Sequence, residues 1–258
     1  MDDQLILLIT TFGLIMTRLI GFFLIVPFYG SVQVPARVKV GLVIFLTLLV
    51  FPTVGEAGPT DLPHPLEFGM LILNEVLAGF LMGFIVFITF SSVQLAGQFI
   101  DLRMGFALVN VLDPQSGEQI PLAGQLKTIL ATLLFLSLQG HHLLLRGVYQ
   151  SFEVLALGQA FPILVTGDYI MRIVGNLFYI SFMMALPVIA VLFISDIVFG
   201  FLARTIPQIN MFSVGIPTKI LLGIMVIFLS LPTFGQYFRE VFQSMFGQLN
   251  NLIHGIGG

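Results

Sequence analysis

Apolar residues run along this chain in long blocks, at 4–28, 40–54, 68–93, 121–145, 170–203 and 218–234, parted by short stretches rich in proline, glycine and charge. A helix that crosses a bilayer takes about 20 such residues. Continuous runs, rather than ten-residue alternation, point to helices and not to a transmembrane barrel. The pattern predicts an all-α, polytopic helical membrane protein of about six apolar segments. Two blocks have awkward lengths. Residues 40–54 would rise only about 22 Å at about 1.5 Å per residue, short of a hydrocarbon core of about 30 Å. Residues 170–203 exceed what a crossing needs and hold Pro187, a kink site. Tilt or bilayer distortion absorbs such mismatch; helices packed mainly against other proteins also show it.

Beyond residue 234 the period changes. Phe238, Phe242, Met245, Leu249, Leu252 and Ile256 recur at alternating steps of four and three, while Arg239, Glu240, Gln243, Gln248 and Asn251 take other faces. This is an amphipathic helix with a narrow apolar seam. A helix lying on a membrane surface carries several cations, whereas this one has a single arginine beside a glutamate. It is expected to dock on protein, its own or a partner's.

Composition turns the pattern into a solvent assignment. Of 258 residues, 57% are hydrophobic and 9% charged, with a mean hydropathy of +1.06; soluble domains carry about 25% charge. A net charge of −3 leaves no basic patch for nucleic acid. The absence of cysteine removes disulfides and thiol chemistry. The start, MDDQLILLIT, has acids where a secretory signal needs cations, so the first run is expected to be retained.

Basic residues orient the spans. Arg37, Lys39, Arg103, Lys127, Arg204 and Lys219 fall on one side, and Arg146, Arg172 and Arg239 on the other. Asp2, Asp3, Glu56, Asp61 and Glu67 join the poorer side, which places both termini outside and the three proline-containing connectors inside. Those connectors share a proline, then a lysine, then an apolar run: PARVKVGL, PLAGQLKTIL and PTKILLGI. Membrane orientation accounts for the lysines.

Arg18, Glu75 and Asp196 lie within apolar blocks and Arg172 near the edge of one. A charge at mid-bilayer costs about 2.5–3.5 kcal/mol on insertion scales, so it faces protein or water and finds a partner. Arg18 is expected to pair with either acid or with a neighbouring subunit; a proton relay through Glu75 or Asp196 is the rival reading. Gly79 and Gly83 form a GxxxG that permits close helix approach. His141 and His142 are adjacent and would point about 100° apart on a helix, a poor metal site. No GxxxxGK[ST], GxSxG or HExxH is present, so neither an enzyme nor a cofactor is expected.

The most polar interruption is VLDPQSGEQIP at 111–121. From the residues alone it reads either as a cytoplasmic connector, the plainer account, or as irregular backbone facing water or protein at membrane depth.

Three stretches resemble the FliR family of flagellar and type III secretion export-gate proteins. They are VPARVKVGLVIFLTLLVFP at 34–52; GQFIDLRMGFALVNVLDPQSGEQIP and its continuation to GHHLLLRGVYQSFEVLALG, at 97–158; and ALPVIAVLFISDIVFGFLARTIPQINMFSVGIPTKILLGIMV at 185–226. Gln139 stands where the family's NGHHLLLR-type motif has asparagine. The third stretch is also similar to the sister protein FliQ, whose helical-hairpin turn is matched by Pro207, Gln208, Ile209 and Asn210 followed by Ile216, Pro217, Thr218 and Lys219.

The resemblance implies a FliP-like helical part at 1–168 and a FliQ-like hairpin with the amphipathic helix at 169–258. It implies one copy closing a helical core of FliP and FliQ in the bacterial inner membrane, at the flagellar basal body. That core conducts unfolded flagellar proteins, meets FlhB on its cytoplasmic side and stands partly above the bilayer plane. It further implies a plug at 104–120, made from Met104, Leu108, Val111, Leu112, Asp113, Pro114, Gln115, Ser116, Gly117 and Glu118. Leu108, Val111 and Leu112 suit a constriction, and Asp113-Pro114 and Ser116-Gly117 suit turns. The rival functions are a small-solute, proton-coupled transporter using Glu75 or Asp196 and a purely structural scaffold.

Overall fold

Seven α-helices make up the described residues of the computed structural model: α1 Asp2–Ile25, α2 Ala36–Val54, α3 Pro65–Met104, α4 Leu122–Ser137, α5 Gly140–Val154, α6 Ile163–Thr205 and α7 Met211–Gly257. The structure describes residues 2–27, 29, 34–54, 64–106, 122–158, 163–206 and 211–257, and no strand occurs among them. Five helices are long and apolar enough to cross a membrane, and the α4–α5 pair makes a sixth if counted as one broken span. The chain is a polytopic helical membrane protein.

Three lengths differ from the block pattern, each for a local reason. The second helix starts at Ala36, not at residue 40, because the Pro35 carbonyl accepts the amides of Val38 (2.9 Å) and Lys39 (3.3 Å). Its 19 residues rise about 28 Å, so the shortfall disappears. The block at 121–145 is two helices, since Gln139 takes a left-handed conformation (φ 55°) that ends α4 one turn after Phe135. The last apolar block and the amphipathic tail are a single helix of 47 residues that carries Pro217 and Pro232 inside it.

The chain divides into two compact units: Met1–Ile88 with Gln139–Ile173 and Gln243–Gly258, and Thr89–Leu138 with Val174–Phe242. In the first, Leu14, Ile15, Leu19 and Phe22 of α1 are buried with Ala78, Met82 and Ile85 of α3, Leu144 and Val148 of α5, and Met245, Leu249 and Leu252 of the tail. The tail's seam therefore docks on its own chain: Leu249 lies 2.6 Å from where a methyl on Gly147 would sit. In the second, Phe90 meets Phe135 (5.4 Å) and Phe238 (6.2 Å), and Phe135 meets Phe242 (4.9 Å), edge to face, an arrangement favoured by the ring quadrupole.

Backbone proximity is the other packing device. A methyl on Gly21 would sit 2.6 Å from the Val76 carbonyl oxygen, one on Gly83 2.7 Å from the Phe22 oxygen, and one on Gly79 would overlap the Arg18 carbonyl. The GxxxG of α3 is thus the surface on which α1 lies. Hydrophobic force between helices is weak in lipid, so close backbone approach carries the association. Gly13 has nothing within 4 Å of such a methyl.

Gly79→Val is expected to cost about 1–3 kcal/mol or more through overpacking. Gly13→Ala is expected to be neutral or to gain up to about 1 kcal/mol from helix propensity. Thermal unfolding of the detergent-solubilised chain measures both.

Candidate functional site

The most buried charge organises the first unit. Arg18 has no solvent exposure and Glu75 1%. Arg18 Nε donates to Glu75 Oε2 (2.5 Å) and Nη2 to Oε1 (3.0 Å), a bidentate pair. Nη1 donates to the carbonyls of Ser151 (3.0 Å) and Leu155 (3.2 Å), Nη2 donates again to Leu155 (3.2 Å), and the guanidinium carbon stands 4.4 Å from the Phe152 ring centroid. All five guanidinium N–H groups are used. The two carbonyls belong to the end of α5, where the helix dipole favours a cation. Gly158, at φ 79°, brings its amide to Glu75 Oε1 (2.7 Å). A methyl there would lie 2.5 Å from Leu71 Cδ2.

Arg18 therefore pairs with Glu75 of its own chain. Asp196 pairs with Lys219 instead, fastening α6 to α7 with both side chains partly exposed. Both candidate relay acids have cationic partners, and Arg172 is exposed on α6.

In the second unit, charges are spent on backbone atoms. Asp101 near the end of α3 is 6% exposed and accepts the amides of Ala123 (3.0 and 3.1 Å) and Gly124 (3.3 Å) at the start of α4. Gly97 and Gly124 are in backbone contact, which admits the carboxylate. Lys127 is 3% exposed, donates to the Met184 carbonyl (2.9 Å) and stands 5.2 Å from the Phe234 ring. Met184 is in the turn before Pro187, where a proline frees carbonyls for other donors. Sequence reasoning did not single out Asp101 and used Lys127 only for orientation. The signal for an outside cap was present: α4 begins after Pro121 with Leu-Ala-Gly, so no local Ser, Thr, Asp or Asn caps it.

Of the plug candidates, Met104 is described. It closes α3 at 1% exposure, its Cγ, Sδ and Cε lying 2.7–2.9 Å from where a methyl on Gly223 would sit, and Gly105 turns the chain at φ 93°. Leu108, Val111, Leu112, Asp113, Pro114, Gln115, Ser116, Gly117 and Glu118 lie outside the described residues, as do Pro207, Gln208, Ile209 and Asn210. Pro217 and Lys219 lie within α7.

Removing one member of a buried ion pair strands the other, at a cost of about 3–5 kcal/mol. Arg18→Met and Glu75→Gln are each expected to lose that much, and Arg18→Met/Glu75→Met far less than the sum. Ser151→Ala is expected to stay within about 1 kcal/mol, because Arg18 is held by the Ser151 carbonyl rather than by its hydroxyl. Denaturant unfolding of the purified chain in detergent reads all four.

The chain matches the family described as bacterial export proteins, family 1, over residues 9–245. It is 36% identical over 260 residues to the flagellar biosynthetic protein FliR of Bacillus subtilis (strain 168), covering 99% of each chain. The FliR of Aquifex aeolicus (strain VF5) is 31% identical over 234 residues, with 88% of each covered. That of Escherichia coli (strain K12) is 29% identical over 229, with 88% of this chain and 86% of the relative covered. A single lineage thus accounts for nearly the whole length, including the apolar helices and the charges between them. The chain belongs to the FliR family of bacterial export proteins and is a membrane-embedded, non-enzymatic component of flagellar protein export.

Proposed function

We propose that this protein closes a FliP/FliQ/FliR core that conducts unfolded flagellar proteins across the bacterial inner membrane at the basal body, and that residues 107–121 help to seal its lumen. The observation that supports an assembled core is the apolar stripe of α6. Met171, Phe178, Phe182, Phe193, Ile197 and Phe201 are exposed along one face, a rise of about 45 Å. A hydrocarbon core spans about 30 Å, and bringing the whole stripe inside it would take more than the roughly 40° of tilt that spanning helices reach. Part of that face needs protein cover.

FliP and FliQ copies supply that cover in this reading. The FliQ-like hairpin at 169–258 stacks beside FliQ, and the FliP-like part at 1–168 takes a FliP position. FlhB meets the cytoplasmic turn around Pro207–Asn210, Pro217 and Lys219. Leu108, Val111 and Leu112 fill the constriction, with Asp113 and Glu118 facing water or protein, since charges facing lipid are costly.

Deleting 110–118 tests the reading. The core co-purified with FliP and FliQ is expected to assemble normally, and in planar bilayers to conduct ions where the intact core is closed. Unchanged conductance together with unchanged export of flagellar subunits would sink the seal.

A further inference from the structure

Both edges of segment 107–121 are fixed by described residues, and one side chain joins them. On the α3 side, Met104 lies on Gly223 and Gly105 turns the chain. On the α4 side, the first helical turn has no cap of its own, and its amides at Ala123 and Gly124 are taken by Asp101, which reaches them from 22 and 23 residues upstream. The backbone contact of Gly97 with Gly124 holds the two helices close enough for this.

We propose that Asp101 is a positioning residue of the seal: its carboxylate clasps the start of α4 to the end of α3 and so sets where the intervening segment begins and ends. This rests on the reading of 107–121 as the seal. The physical case has three parts. Asp101 satisfies amides that a helix start otherwise leaves without partners. Its negative charge sits at the positive end of the α4 dipole. The site is nearly closed to solvent, so water is a poor substitute for the lost acceptor. A segment released at one edge keeps its composition and loses its register.

The test uses the intact co-purified core, reconstituted in planar bilayers, with hydrogen exchange followed at the first turn of α4. Asp101→Ala is expected to speed exchange at Ala123 and Gly124 and to raise ion conductance about five- to thirtyfold, the range that losing a helix cap allows. Asp101→Asn, which keeps one acceptor oxygen, is expected to restore most of the sealing. Tyr169→Phe removes the bond from Tyr169 to the Gln248 carbonyl (2.6 Å) in the other unit and is expected to leave conductance unchanged.

If Asp101→Ala speeds exchange but stays closed while the 110–118 deletion leaks, the positioning role is overturned and the seal stands. If the deletion stays closed too, the seal reading falls and the positioning role with it. A leak in Tyr169→Phe as large as in Asp101→Ala would reduce the effect to general destabilisation and overturn the proposal. Should the alanine variant fail to assemble, Asp101→Asn is judged on the same two readouts: faster exchange with a leak supports the role, and faster exchange without one overturns it.

Discussion

The low-dielectric surroundings of Arg18 impose the constraint that the first unit answers. A guanidinium taken out of water there is tolerable only if every donor finds an acceptor. The acceptors come from separate parts of the chain: Glu75 on α3, and the Ser151 and Leu155 carbonyls at the end of α5. Glu75 in turn needs the Gly158 amide. None of these groups is satisfied until α1, α3, α5 and the turn after α5 are all in place. Such a pair contributes little net stability compared with apolar filling; its effect is to make misassembled alternatives expensive.

Glycine makes that geometry reachable. Arg18 can span to Glu75 and α5 because Gly21, Gly79 and Gly83 let α1 and α3 meet backbone to backbone. The second unit repeats the device with different partners: Gly97 and Gly124 approach, and a carboxylate enters to hold two amides. Lys127 then takes a carbonyl next to Pro187. In each case a charged side chain satisfies backbone groups that a helix end or a proline leaves open. In a bilayer that task cannot be left to water.

The outer surface has a different logic. Large apolar side chains on α6 and α7, among them Phe178, Phe193, Phe201, Leu221, Phe228 and Leu229, stay exposed, while the amphipathic tail folds back on its own unit. A flagellar export component built this way keeps its polar lattice inside and offers apolar helix faces to lipid and to neighbouring subunits.

Composition and block pattern by themselves determined the solvent, the all-helical class, the approximate spans and the seam of the tail, because a bilayer demands long apolar runs and a packed helix demands a period near 3.6 residues. Helix ends were less legible: the start of α2 at Ala36 depends on the Pro35 carbonyl, and the break at Gln139 on one left-handed residue. The partner choices belonged to tertiary structure alone. Arg18 had two acids within reach on paper, and only packing brought it to Glu75, 57 residues away, while Asp196 went to Lys219. Asp101 looked like one more charge at a helix end until α4 was laid against it. Contacts at such separations leave no local periodicity, since they arise when helices cross and not while they form.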